Sequence, residues 1–292
     1  MRICSLLPSA TETIADLGMV DALVGVSEEC RWPVEVIGKP VVTAAKIKPA
    51  ELSSLEIDAA VREAVREGDS LYVVDAGQIE ELAPDLIVTQ DLCSVCAVSG
   101  DELAAACPVA VDVLSLDPRT LEGVMESVRT LARRIGADDA GEMIVGGMRR
   151  KIDETQRVVA GLPPARVFFA EWLAPPFCAG HWLPEMIELA GGSDVLGRAG
   201  EPSRPTTWDE ALALEPELIV LGPCGFDAGE AARRATGLEF PCPAVAVDGD
   251  GYYSRPAPRL ADGVRQLAHL MHPESSPDPG LPEIRLGRFA AL

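Results

Sequence analysis

Basic charge is in short supply in this chain. Lysine and arginine number 25 against 46 aspartates and glutamates, a net charge of −21 over 292 residues. Nucleic acid and anionic lipid are both held through a basic footprint, so neither is expected as a partner. No apolar run reaches the roughly 20 residues that a membrane helix needs. Eight cysteines in 292 residues are too few for a disulfide scaffold. The opening stretch Met1-Arg2-Ile3-Cys4-Ser5-Leu6-Leu7-Pro8 is shorter than a secretory leader, whose apolar part alone runs about 7–15 residues. It reads as a first strand. A cytoplasmic protein with free or metal-bound thiols is the simpler expectation, and an exported one whose leader has been removed is the alternative. Gly-x-Ser-x-Gly and phosphate-loop motifs are missing, and no acid–base or nucleophile constellation stands out. The expectation is therefore a binding protein rather than an enzyme.

What the chain does have is apolar strand-like runs alternating with helical ones. Hydrophobic residues make up 48%, enough for a packed core. Ile3 to Leu7, Leu23 to Val26, Leu86 to Thr89, Val109 to Val113 and Arg166 to Ala170 read as strands by their β-branched content. Thr11 and Glu12 carry helix-start chemistry. Pro184 suits the first turn of another helix, which Gly191-Gly192 ends. The plan repeats. Leu82-Ala83-Pro84-Asp85-Leu86-Ile87-Val88 matches Leu214-Glu215-Pro216-Glu217-Leu218-Ile219-Val220, and Asp21-Ala22-Leu23 matches Asp194-Val195-Leu196. Two matches in the same order point to a duplicated α/β lobe. Leu121, Val124, Met125, Val128, Leu131, Ala132 and Ile135 recur at helical spacing, Gly136 breaks the run, and a second helix is expected from about Asp139 to Val159. The organisation expected is an N-terminal lobe over 1–118, linking helices over 119–165 and a C-terminal lobe over 166–292. The segment after His272 reads as a loose end until Pro282 to Leu286.

Loops at the carboxyl ends of strands line the ligand site in α/β proteins, and five cysteines fall in such breaks: Cys30, Cys93, Cys96, Cys178 and Cys224. With His181 they form a candidate set of soft ligands for zinc, copper(I) or an iron–sulfur cluster. The Cys93-Ser94-Val95-Cys96 spacing fits one shared metal ion or a redox pair, and equally two lone cysteines in a packed loop. Cys4, Cys107 and Cys242 lie in apolar or proline-flanked contexts and read as small core residues. His269 and His272, near the end of the last helix, read as structural. Trp32, Trp172, Trp182, Phe226, Tyr252 and Tyr253 gather in the same breaks although aromatics are only 4% of the chain, and a flat macrocycle packs well on such faces. Arg255 would pair with a ligand carboxylate or phosphate, or with a helix start. Glu28, Glu29 and Glu171 read as a solvated rim or as cation ligands.

Leu7-Pro8-Ser9-Ala10-Thr11-Glu12, Trp182-Leu183-Pro184-Glu185-Met186-Ile187-Glu188-Leu189-Ala190-Gly191-Gly192, the Leu214 to Val220 segment and Tyr253-Ser254-Arg255-Pro256-Ala257-Pro258-Arg259-Leu260 occur in an order that resembles the helical-backbone metal-receptor superfamily. These are substrate-binding proteins for cobalamin and iron complexes, and the chain is most similar to the cobalamin-binding branch. The resemblance implies an α/β fold of class III periplasmic-binding-protein type, with two Rossmann-like lobes joined by a long backbone helix and the ligand held between them. Carried over by position, the walls would include Ser9, Thr11, Glu29, Trp32, Trp172, Trp182, Phe226, Tyr252, Tyr253 and Arg255. The implied ligand is a cobalamin-type corrinoid or related metal complex, and the implied partner is an ABC permease. The rival expectation is a zinc or iron–sulfur protein built on the cysteines.

Overall fold

The computed structural model describes residues 1–90, 103 and 111–287. The chain divides into two units, one of Met1–Pro118 with Glu122–Val145, the other of Arg119–Leu121 with Gly146–Leu292. The helices of the linking stretch are thus shared out between the units.

In the first unit β1 (Ile3–Ser5) leads into α1 (Pro8–Asp16), followed by β2 (Leu23–Ser27), β3 (Val41–Ala45), α2 (Ser54–Glu67), β4 (Tyr72–Val74), α3 (Ala76–Leu82), β5 (Leu86–Gln90), β6 (Asp112–Leu116) and α4 (Leu121–Ile135). The sheet runs β4-β3-β2-β1-β5-β6, parallel except for β4. All five residues of β5 are buried, the unbroken burial of a parallel strand covered on both faces. Ile3, Leu7, Ile14 and Leu17 form one core with Leu131, Ala132 and Ile135 of α4, so the helical spacing read from the sequence marks a real buried stripe. Gly25 lets Cys4 lie across β2: a Cβ there would sit 2.8 Å from the Cys4 Sγ.

Two expectations are corrected here. The first helix starts at Pro8 rather than at Thr11, because proline's fixed φ and missing N–H suit a first helical position. The strand expected over Val109 to Val113 is β6, paired in register with β5 from Leu86↔Asp112 to Gln90↔Leu116; Val109 and Ala110 lie outside the described residues.

From Asp138 to Val159 runs α5, whose first eight residues belong to the first unit and the rest to the second. Arg129 of α4 grips Glu142 of α5 at 2.9 Å, and Gly141 permits the close approach of the two helices, since a Cβ there would fall 2.5 Å from that of Ala132.

The second unit holds β7 (Ala165–Leu173), β8 (Pro176–Cys178), α6 (Leu183–Leu189), β9 (Gly192–Asp194), α7 (Trp208–Ala213), β10 (Leu218–Leu221), α8 (Ala228–Arg234), β11 (Ala244–Val247), α9 (Gly249–Tyr252), α10 (Leu260–Met271) and β12 (Glu283–Leu286). Its sheet runs β12-β11-β10-β7-β8, with β9 alongside the start of β7. The β7–β10–β11 centre is parallel, and β8 and β12 close the two sides antiparallel. The stretch from Glu171 to Trp182 is largely the hairpin of β7 and β8, with Ala170 opposite Cys178. His269 Nδ1 meets the Ser276 carbonyl and His272 Nε2 the Gly191 carbonyl, both at 2.9 Å, so the two histidines anchor the end of α10.

Candidate functional site

In the second unit the sequence-predicted residues converge where β7, β10 and β11 end. Trp172 closes β7, and its indole stacks on Phe226 with centroids 5.5 Å apart and planes 29° from parallel. The Arg234 guanidinium carbon lies 4.1 Å from the Phe226 centroid, a cation–π distance. Arg234 is held in turn by Glu230 at 2.7 Å. Glu230 also takes two bonds from Arg233, and these arginines draw its pKa down to about 2. The Asp227 carboxylate caps α8 through the Glu230 N–H at 2.8 Å. The result is a layered block of indole, phenyl ring, guanidinium and carboxylate on a capped helix. Arg234 carried no sequence signal: it is one of several charges on a short helix, and only the fold sets it beneath Phe226.

Around this block, Cys224 is exposed and its N–H bonds the Glu171 carbonyl at 3.0 Å. The Glu171 carboxylate accepts the Gly180 N–H at 2.6 Å. Next to Gly180, His181 holds a left-handed backbone at φ 51°, fixed by its N–H to the Glu201 carbonyl and by its carbonyl to the Gly200 N–H, at 2.6 and 2.8 Å. A non-glycine residue in that region costs about 1–3 kcal/mol and concentrates where function demands it. The Asp250 N–H reaches the Phe226 carbonyl at 3.1 Å, and its carboxylate takes Arg255 in a fork, 3.0 and 2.6 Å. Tyr252 is half-buried beneath the Arg259 guanidinium, 5.2 Å from the ring centroid.

Other residues named from the sequence are placed inside the unit. Trp182 is 4% exposed and gives its indole N–H to the Tyr253 carbonyl at 2.8 Å. Tyr253 is wholly buried, with its hydroxyl on Gln266 at 2.8 Å. Both serve the core, which an aromatic residue beside a loop does as readily as it lines a surface. Cys178 is likewise part of a core with Phe168, Ala170, Ile219 and Leu221. Burial pushes its thiol pKa up, against the thiolate that a metal requires.

In the first unit, Thr11 is fully buried, its Oγ1 3.0 Å from Cys30 Sγ. Ser9 is buried on α1, and its carbonyl accepts the Thr13 hydroxyl at 2.8 Å. Glu29 pairs with Arg31 at 3.3 Å, Glu28 with Lys48 at 3.4 Å, and Trp32 stands 48% exposed. Cys30 borders a hollow of about 310 Å³ lined chiefly by Val26, Val36, Ile37 and Val41. Cys93 and Cys96 lie outside the described residues, as does Cys107. Among the described residues no three or more His, Cys, Asp or Glu side chains gather into a metal-holding group, and no helix is long and apolar enough to cross a membrane. The zinc and iron–sulfur expectations therefore find no support among them.

Asp194 was legible only as half of a repeat. Its Oδ1 accepts the Leu196 N–H at 2.8 Å and the Gly197 N–H, while Oδ2 is shut off from solvent. Burial raises its pKa to about 6, although the backbone N–H groups of Gly197 and Leu196 pull the other way.

Two mixed α/β units with largely parallel sheets define a protein of the two-lobed binding-protein fold. A model of the family described as periplasmic binding protein matches residues 3–240, and the chain belongs to that family. Among curated proteins it is similar to the vitamin B12-binding protein of Vibrio cholerae, 23% identical over 278 residues, 91% of this chain and 87% of that one. It is also similar to an uncharacterised ABC transporter substrate-binding lipoprotein of Bacillus subtilis, 24% identical over 94% of this chain and 81% of the other. Among solved structures, a periplasmic haem-binding protein from Pseudomonas aeruginosa matches with a TM-score of 0.68 at 18% identity, covering 97% of each chain. The expectation of a cytoplasmic protein has no support here: the family is described as periplasmic, the Pseudomonas protein is named periplasmic and the Bacillus one a lipoprotein.

Proposed function

We propose that this chain is the substrate-binding component of an ABC uptake system, acting outside the cytoplasm, and that its ligand is a cobalamin-type corrinoid or a closely related tetrapyrrole metal complex. The observation that carries the reading is the Trp172–Phe226 stack, set at the carboxyl ends of β7 and β10 and backed by Arg234. A macrocycle offers a flat apolar face, and stacking such a face on a braced aromatic pair costs little side-chain entropy. Trp172 and Tyr252 are the ligand-facing residues of the second unit, with Phe226 and Arg255 buried behind them and Cys224 and His181 beside them; Glu29 and Trp32 are those of the first. The B12-binding and substrate-binding relatives support the reading.

The test is a titration of the purified chain with cyanocobalamin, followed by tryptophan fluorescence and by calorimetry. A dissociation constant in the micromolar range or tighter, weakened about tenfold or more in Trp172→Ala, is the expected result, since tenfold corresponds to about 1.4 kcal/mol of lost stacking. Absence of saturable binding by either cobalamin or haem sinks the proposal.

A further inference from the structure

We infer that the site in the second unit selects a macrocycle with a neutral edge over one with a carboxylate edge, and that the Asp250–Arg255 pair sets this preference. The inference rests on the macrocycle-binding reading above and adds the ligand's edge chemistry to it.

Three arginines near the Trp172–Phe226 stack are already engaged. Arg255, 8% exposed, is clasped by both oxygens of Asp250 at 3.0 and 2.6 Å. Arg234, its side chain 4% exposed, lies against Phe226 and pairs with Glu230. Arg259 stands over the Tyr252 ring. The stretches that carry the stack, Glu171 to Trp182 and Gly222 to Ala228, contain no lysine or arginine at all. They contribute Glu171 and Asp227, and the neighbouring turn adds Asp248 and Asp250. The two stretches that carry the stack are therefore acidic in themselves, within a chain already at −21.

A haem presents two carboxylates at its edge. Such groups are held by cations, most often in forked bonds from arginine. Set beside Glu171 and Asp227, with Arg255 held by Asp250, they would be desolvated and repelled. A corrinoid edge carries carboxamides instead. These are uncharged, and their N–H groups donate to carboxylate and carbonyl oxygens, which this rim supplies. Asp250 is the switch between the two outcomes, because its two bonds to Arg255 withhold that guanidinium from a ligand carboxylate.

The test compares cyanocobalamin, haem and haem dimethyl ester, in which the two carboxylates are masked, on the full chain at one pH and ionic strength. The expected order is corrinoid at least 100-fold tighter than haem, and the ester at least tenfold tighter than the free diacid. Asp250→Asn should strengthen haem binding about tenfold by releasing Arg255, and so narrow the gap between corrinoid and haem. Haem binding as tightly as the corrinoid, or the diacid matching its ester, would overturn the inference while leaving the macrocycle reading intact. Failure of all three ligands to bind would instead remove the reading beneath it. The ester comparison needs no variant and decides the matter even if Asp250→Asn does not fold.

Discussion

Arg166 and Glu217 close a two-way clasp: the Arg166 N–H donates to the Glu217 carboxylate at 2.8 Å, and the Glu217 N–H donates to the Arg166 carbonyl at 2.8 Å. Arg2 and Asp85 do the same in the first unit, at 2.7 and 2.8 Å. The arginine side chains repeat the symmetry, Arg166 bonding the Leu214 carbonyl and Arg2 the Leu82 carbonyl. The residues that follow those two leucines, Glu215 and Ala83, hold left-handed φ values of 50° and 43°. Each clasp ties the start of a central strand to the helix end before its neighbour. Glu217→Ala should therefore destabilise the second unit by about 1 kcal/mol, the usual net worth of such a bond, with little effect on the first. Urea denaturation followed by hydrogen exchange of β7 and β1 amides separates the two; equal loss of protection in both strands contradicts the account.

The repeat was legible in the sequence because the clasp needs a proline-acid pair before each strand, and those residues recur at Pro84-Asp85 and Pro216-Glu217. The amphipathic stripe of α4 was legible because burial on one helix face imposes a period. The β7–β8 hairpin was not, since Ala174-Pro175 breaks the strand pattern that the pairing of Ala170 with Cys178 restores. Nor could the sequence separate Trp172, which forms the stack, from Trp182, which the Tyr253 carbonyl draws inside. Burial of one tryptophan rather than another is decided by packing between distant segments, and no local spacing records it.

Asp194 should make the second unit's stability depend on pH. Its folded pKa of about 6 lies above the ordinary 3.8, so the fold favours the protonated acid. That contribution is full below about pH 3.8 and is lost as pH rises through 6, amounting to roughly 3 kcal/mol at most. Asp194→Asn keeps an oxygen for the Leu196 and Gly197 N–H groups and cannot ionise. Melting curves between pH 4 and 7.5 should show this loss in the wild-type chain and a flatter profile in the variant. Parallel profiles would mean that folding leaves the Asp194 pKa near its ordinary value.

Cys178 offers a plain test of its place in the core. Cys178→Ala removes one sulfur atom and should cost about 1–2 kcal/mol. Cys178→Ser puts a hydroxyl among Phe168, Ala170 and Ile219 and should cost more, by about 1–3 kcal/mol if the hydroxyl finds no partner. Serine tolerated better than alanine in chemical denaturation would count against this placement.

Gly146 and Gly147 sit inside α5, where the chain passes from one unit to the other. Glycine in a helix interior costs roughly 0.5–1 kcal/mol relative to alanine, and packing does not require it here. A Cβ at Gly146 would come no closer than 3.4 Å to the Arg150 guanidinium, and one at Gly147 no closer than 3.7 Å. Alanine at both positions should therefore stabilise α5 by about 1–2 kcal/mol in total, visible as a raised melting temperature and slower amide exchange around Lys151. A lower melting temperature in the double variant would show that the two glycines meet a packing constraint that these distances do not contain.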